Sequence, residues 1–465
     1  MPRIVRPLFL LIFILSAISQ SGSSTIESTS QKFIDLVNIN PQNVFSLNLN
    51  PLKSSNTKYL SQNIIVVDMG STGSRLHAFN IQKPPHQANN SIPFITEIAI
   101  SKSHNHHLRH KPNQRLAMAD YADAPQKVGE HILPLYYDLA KQLKNLDIDI
   151  EQTPIYFYAT AGMRLKDQDK QRLLHQELIK VIKIAGHDQN AIISTTITGE
   201  LEGIFDWLSV NYKLQTLQNN ELTLAALDMG GASTQVAMEY NPKNNQDSDN
   251  KNIIDNPNNL FELKFSQKKY TIFSKSILGY GLSQTKKNIT NYNHKLAAQE
   301  CSIATSSINE HFKNYEHNIS KDHPNNNSQN EHPKIQLSRF NYIKCGKLIE
   351  LYLKDKKEHL IIAKAIKTAV DNEMNFVAAS GYYYNFNFFN SKIPEDLIKT
   401  IPDKCHFHQH DFNSELVLNE ACFDATYLKT LLNQGYNIPA NYQNFIIPKH
   451  DIDWTIGAAL YIVTQ

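Results

Sequence analysis

The sequence has almost no excess of charge of either sign: 46 Lys and Arg face 44 Asp and Glu, for a formal net charge of +2. A near-neutral balance lacks the basic footprint of a nucleic-acid partner, so no nucleic acid is expected as a ligand. Long hydrophobic runs are also scarce. Beyond the N-terminus there is no stretch of about 18 uninterrupted apolar residues, and the closing "WTIGAALYIVTQ" stops too soon to span a bilayer. Mean hydropathy is −0.41, as expected of a soluble protein. Cysteine is limited to Cys301, Cys345, Cys405 and Cys422, with no C-x-x-C pair, which argues against a zinc site.

The apolar N-terminus is a separate object. Arg3 and Arg6 precede Leu8 to Ile18, and Ala17-Ile18-Ser19 has the small-x-small pattern of a cleavage site. Residues 1–19 therefore read as a secretory signal peptide; the alternative, an uncleaved anchor, is disfavoured by the short run. The mature chain is expected to be secreted or periplasmic/extracellular, monomeric, and without a stable membrane anchor. In an exported chain an even cysteine count suggests two disulfides. Pairing Cys301 with Cys345 and Cys405 with Cys422 closes the shorter loops, although sequence alone permits three connectivities. Cys405 opens "CHFHQH", so metal binding there stays open. The histidine-rich "SHNHHLRHK" (103–111) reads as a solvated loop.

A length of 465 residues suggests two domains behind a loose, Ser-, Asn- and Gln-rich leader at 20–60. Strand-like runs at 63–68, 75–80 and 93–100 precede a helix over 124–145, carried by Val128, Ile132, Leu135, Leu139 and Leu143. "PIYFYAT" (154–160) reads as a buried strand and 166–184 as a helix. The pattern then restarts with strands at 222–229, 233–240 and a pair over 260–274, followed by helices to about residue 355. The segments 241–259 and 315–335 read as surface insertions. Asn89, Asn288, Asn318 and Asn326 begin glycosylation sequons.

The restart repeats a peculiar turn. "VVDMGSTGSR" (66–75) and "ALDMGGASTQ" (226–235) each end a strand in an acid and pass into glycines and hydroxyls. One such turn is ordinary hairpin chemistry. Two suggest a pair of anion-binding nests, in which Gly70 and Gly73, or Gly230 and Gly231, let backbone N–H groups converge. Asp68 and Asp228 would repel phosphate unless a divalent cation lay between them. "ATAGMR" (159–164) again ends a strand in small and hydroxyl residues, and "TGELEGIFDWLSVNY" (198–212) opens a helix with Glu200 and Glu202. Either acid could activate water, though acids also suit a helix N-terminus. Arg75 and Arg164 are expected in structural ion pairs, and Trp207 and Trp454 in the core.

These segments resemble the signature regions of the nucleoside triphosphate diphosphohydrolase, or apyrase, family. "DMGSTGSR", "ATAGMR", "GELEGIFDWLSVNY" and "ALDMGGASTQ" are similar to its first four regions in order; "FVAASGYYY" (376–384), "SILGYG" and "DWTIGAAL" resemble further segments. The resemblance spans about residues 61–465. It implies an α/β fold of two RNase H-like domains of the actin–hexokinase–Hsp70 type flanking an active-site cleft. Domain I is expected over 61–198 plus 445–465 and domain II over 199–444.

It also implies cation-dependent release of terminal phosphate from nucleoside di- and triphosphates, by direct attack of water. By this resemblance Glu202 is the general base, Ser233 and Gln235 orient the water, and Asp68 and Asp228 hold the cation, Mg²⁺ or Ca²⁺, through its waters. Ser71, Thr72, Gly73, Thr160, Ala161, Gly231 and Ala232 would contact phosphates. Tyr383 is the candidate for stacking on the nucleobase, with Tyr382 and Tyr384 as alternatives and a core aromatic cluster as the plainer reading. The chain departs from the family at Leu201, where a first acid is usual, and at Ala379, where an aromatic is usual. A kinase or exopolyphosphatase of the same fold, or a binding protein with a dead site, are the competing readings. The retained Asp68, Glu202, Asp228, Ser233 and Gln235 weigh against the last.

Overall fold

The computed structural model describes residues 60–83, 92–102, 117–218, 221–240, 258–265, 268–301, 340–405 and 412–464. The expected signal peptide and leader, the histidine-rich stretch 103–111, residues 406–410 and the sequons at Asn89, Asn318 and Asn326 lie outside the described residues.

The first sheet grows from an antiparallel meander of β1 (Leu60–Gly70), β2 (Gly73–Lys83) and β3 (Phe94–Lys102). Ile64 to Val67 are all buried, so β1 is covered on both faces. That is why its sequence is a β-branched run rather than an alternation. β1 also pairs in parallel with β4 (Ile155–Ala159), and β4 with β5 (Ile192–Thr196). Helix α1 (Gly129–Lys144) makes the crossover to β4, burying Ile132, Leu135, Leu139 and Leu143 as their spacing predicts. The short α2 (Ala161–Arg164) and α3 (Gln168–Ile184) then lead to β5. β5 escapes the sequence reading because its buried face is polar. Ser194 and Thr196 are hydrogen-bonded to the two nitrogens of His175, at 2.7 and 2.9 Å.

The second sheet repeats the plan. It contains β6 (Ala225–Met229), β7 (Ser233–Glu239), β8 (Leu260–Phe265), β9 (Lys268–Leu278), β10 (Phe376–Ala378) and β11 (Phe445–Ile446). The first sheet has the order β3-β2-β1-β4-β5 and the second β11-β10-β6-β7-β9-β8. Reading β6, β7, β9, β10 and β11 for β1 to β5 reproduces the first order, with β8 added at the edge. The fold is thus the expected α/β pair of RNase H-like units. Helix α4 (Gly199–Lys213) precedes the restart; α5 (Leu282–Tyr292), α6 (His294–Glu300), α7 (Tyr342–Lys356), α8 (Leu360–Asp371), α9 (Gly381–Phe388), α10 (Pro394–Lys404) and α11 (Phe412–Thr430) follow it, and α12 (Thr455–Thr464) comes last. The disulfides Cys301–Cys345 and Cys405–Cys422 form as expected, within the core of this second unit. Asn288 donates its side-chain amide to the carbonyl of Gly279 and the hydroxyl of Tyr352, so a glycan there would displace both bonds.

One core joins the units. Ile64, Val66 and Phe79 of the first sheet share a cluster with Trp207 and Leu208 of α4, Ala226 and Ala237 of the second sheet, and Trp454 and Leu460. α4 is buried on almost every side because it lies between the second sheet and α12. We place the start of the returning segment after Ile446, since residues 445–446 pair with β10 rather than joining the first unit as expected.

The α4–α12 contact depends on Gly457. A Cβ there would lie 2.0 Å from the carbonyl oxygen of Phe205, and the Gly457 N–H donates to Ser209 Oγ at 2.8 Å. Gly457→Ala is therefore expected to destabilise the protein by about 3 kcal/mol, at the upper end of overpacking costs. Urea unfolding measures this, and an unchanged midpoint would mean that α12 slides freely on α4.

Candidate active site

The two Asp-x-Gly turns are hairpin tips in matching register. Asp68 stands opposite Arg75 in the β1–β2 ladder, and Asp228 opposite Gln235 in β6–β7. The tips face each other closely. A Cβ on Gly231 would lie 2.6 Å from both Ser71 Oγ and Thr72 Cγ2, an approach that only glycine permits. Thr160 donates its N–H to the carbonyl of Met69 at 3.3 Å and opens α2 beside the first tip, followed by buried Ala161. The two tips (Ser71, Thr72 and Gly73; Gly231 and Ala232) and the start of α2 (Thr160 and Ala161) thus lie side by side.

Glu202 lies in the first turn of α4, which Thr198 caps by accepting from the N–H of Leu201. Its Oε2 accepts from Arg164 Nη2 at 2.7 Å and from Gln235 Nε2 at 3.0 Å. Gln235 Nε2 also donates to Ser233 Oγ at 2.6 Å and to Ser276 Oγ at 3.1 Å. Arg164 Nη2 reaches Ser233 Oγ at 3.1 Å. Glu202, Ser233 and Gln235 are therefore one hydrogen-bonded cluster. These bonds orient the Gln235 amide, and its Oε1 is buried with no hydrogen-bond partner.

Both arginines make the ion pairs expected of them, and the partners are the candidate site acids themselves. Arg75 Nη1 lies 2.8 Å from Asp68 Oδ2. Trp207 and Trp454 are core residues, the latter stacked on Phe205 at 6.0 Å. Tyr382 is fully buried and cannot meet a ligand. Tyr383 is half-buried, with the ring of the exposed Tyr384 edge-on at 5.2 Å.

Several site residues went unnoticed in the sequence. Ser276 is the register partner of Gln235 on β9. Ser380 has φ 50° and ψ −121°, a strained backbone for a non-glycine residue. Its N–H donates to Asp451 Oδ1 at 2.9 Å, and its side chain is hydrogen-bonded to Asp228. Asp451 and Asp453 come from "DIDW" before α12. The signal for these was their place inside segments that resemble the family, not their residue type.

Burial dominates the electrostatics. It raises Glu202 above the usual carboxylate range, against the lowering pull of Arg164. Asp68 is pushed up to about 7, by burial first, with Arg75 opposing and Asp453 and Glu202 adding. Asp228 is pushed up to about 8, by burial and then by Glu202. Asp228 Oδ1 is buried without a partner. Crowded, dry carboxyls with an open oxygen fit a hard divalent cation. Among the described residues no three His, Cys, Asp or Glu are placed to ligate one ion directly.

This has a measurable sign. Between the ordinary value of 3.8 and about 7 to 8, Asp68 and Asp228 keep their protons in the folded, cation-free chain and lose them in the unfolded one. Stability then falls as pH rises through that window. The Tm in EDTA is expected to drop by several degrees from about pH 5 to about pH 8, and added Ca²⁺ to raise it more at the higher pH. A calorimetric Tm flat with pH in EDTA would contradict the assignment.

The family model described as GDA1/CD39 (nucleoside phosphatase) matches residues 52–465. A guanosine-diphosphatase of Schizosaccharomyces pombe is 25% identical over 88% of this chain and 75% of its own length. Ectonucleoside triphosphate diphosphohydrolase 1 of Bos taurus is 24% identical over 88% and 83%, and a probable apyrase 3 of Arabidopsis thaliana 24% over 85% and 81%. Among the described residues no helix is long and apolar enough to cross a membrane. With its two facing Asp-x-Gly hairpins and a family match over nearly its whole length, the chain belongs to the GDA1/CD39 (nucleoside phosphatase) family.

Proposed function

We propose that the chain is an exported apyrase, a divalent-cation-dependent hydrolase that releases the terminal phosphate of nucleoside tri- and diphosphates by in-line attack of water. The observation that carries this is the Glu202–Ser233–Gln235 cluster beside the facing hairpin tips. Gln235 Oε1, buried and unpartnered, is an acceptor for one proton of the attacking water. Glu202 takes the other as general base, and Ser233 Oγ fixes the water's remaining direction. Ser71, Thr72, Gly73, Thr160, Ala161, Gly231 and Ala232 bind the phosphates, and positioning of this kind is most of what phosphoryl transfer requires. Asp68 and Asp228 would hold a Mg²⁺ or Ca²⁺ ion, which would supply positive charge to offset the phosphates. Tyr383 stacks on the base.

The test is phosphate release by the chain from residue 20 onward, on ATP, ADP, GTP, UDP, AMP and polyphosphate, with Mg²⁺, Ca²⁺ or EDTA. Cation-dependent release from tri- and diphosphates, and none from AMP, is the expected result. Release from polyphosphate alone would make the chain an exopolyphosphatase, and nucleotide binding without turnover a binding protein.

A further inference from the structure

α4 carries a second carboxyl on the face that bears Glu202. Asp206 follows it by one helical turn, so the two side chains are neighbours along the helix. Asp206 is 3% exposed, and its Oδ2 is buried with no hydrogen-bond partner. The leading charges that act on it belong to Asp228, Glu202, Asp453 and Asp68, in that order. All four are acids, and they come from β6, α4, the segment before α12, and β1. Asp206 therefore stands where the carboxyls of four elements converge.

A carboxyl in such a place has no evident stabilising role. Burial without a partner costs free energy. Asp68 has Arg75 and Glu202 has Arg164, whereas no basic side chain is among the leading charges that act on Asp206. An incoming cation would answer this, since one oxygen of Asp206 and one of Asp228 are each buried and open.

Resting on the hydrolase reading above, we propose that Asp206 is a further carboxyl of the cation site, reaching the water shell of the ion from the α4 side. The ligand class is a hard divalent cation that keeps part of its hydration. Contact through water agrees with the absence, among the described residues, of three donors placed to ligate directly. Because Asp206 and Glu202 share one helix, the ion and the general base are then held in register by α4. Asn keeps the size of the Asp206 side chain and removes its capacity for negative charge.

The experiment is calorimetric titration of Ca²⁺ alone into the chain, into Asp206→Asn and into Asp228→Asn, with the Tm of each in EDTA. Asp206→Asn is expected to bind Ca²⁺ about 10–100-fold more weakly, the usual effect of losing a group that acts on a metal through its ligands. Its Tm in EDTA should be unchanged or higher. Affinity within about twofold of the unsubstituted chain, with Asp228→Asn weakened, overturns the proposal and leaves the hydrolase reading standing. No Ca²⁺ uptake by the unsubstituted chain overturns the proposal together with the cation site. Should Asp206→Asn not fold, the same titration on Asp206→Ser decides, with the same two outcomes.

Discussion

Glu202→Gln is expected to lower kcat for nucleotide hydrolysis by about 10²–10⁴, with nucleotide affinity little changed. The substitution keeps the side chain's size and its ability to accept from Arg164 and Gln235, both of which reach Oε2. What it removes is the capacity to take a proton from water. Glutamine at this buried position relieves the desolvation that raises the Glu202 carboxyl but leaves Arg164 without its anion, so the Tm of the variant is measured beside its kinetics. Loss of turnover with a preserved Tm and a preserved Kd for a non-hydrolysable nucleotide isolates the chemical step. A loss of less than about tenfold would show that another group accepts the proton.

The second large effect belongs to Arg164. Its guanidinium bonds to Glu202 and Ser233, and its Nη1 donates to the carbonyl of Ile197 at 3.1 Å. Arg164→Met keeps much of the length and leaves the carboxylate without its cation. Removing one partner of a buried pair typically costs about 3–5 kcal/mol. The chain can avoid part of that by protonating Glu202, and this sets the kinetic signature. An opposite charge at this range lowers a carboxyl by about 1–3 pH units, so the acidic limb of the kcat profile should move up by that amount. Activity is then lost over a wider acidic range and partly regained at higher pH. A profile of unchanged shape, merely scaled down, would mean that Arg164 positions substrate rather than tuning the base.

Much of this centre was legible in the sequence, for a physical reason. Asp68, Asp228, Ser233 and Gln235 lie in hairpin tips, where a turn, an acid and its neighbours are contiguous in the chain. Glu202 was singled out by the resemblance alone, since the start of the helix left Glu200 and Glu202 equally open. Residues that meet only through pairing were not. Ser276 reaches Gln235 across the β7–β9 ladder, and Ser380 reaches Asp228 and Asp451 from a strained turn after β10. Asp206 reads in isolation as one more polar residue on an amphipathic helix, yet α4 is enclosed on nearly all sides. β5 was missed because its inward face bonds to a histidine instead of packing as hydrocarbon. Tyr382 and Tyr383 are adjacent in sequence, and only their different burial separates core from candidate ligand contact.

The hairpin registers differ at one position: where the first tip sets Arg75 across from its aspartate, the second sets Gln235. The first half thus carries a counter-charge to its acid on the neighbouring strand, at 2.8 Å. On the proposed reading the second half uses that place for an amide that would serve the water, and its acid would meet positive charge only in a bound ion. Twin topologies would in this way be unequal: one half keeps a counter-charge on the chain, and the other would borrow it from the medium.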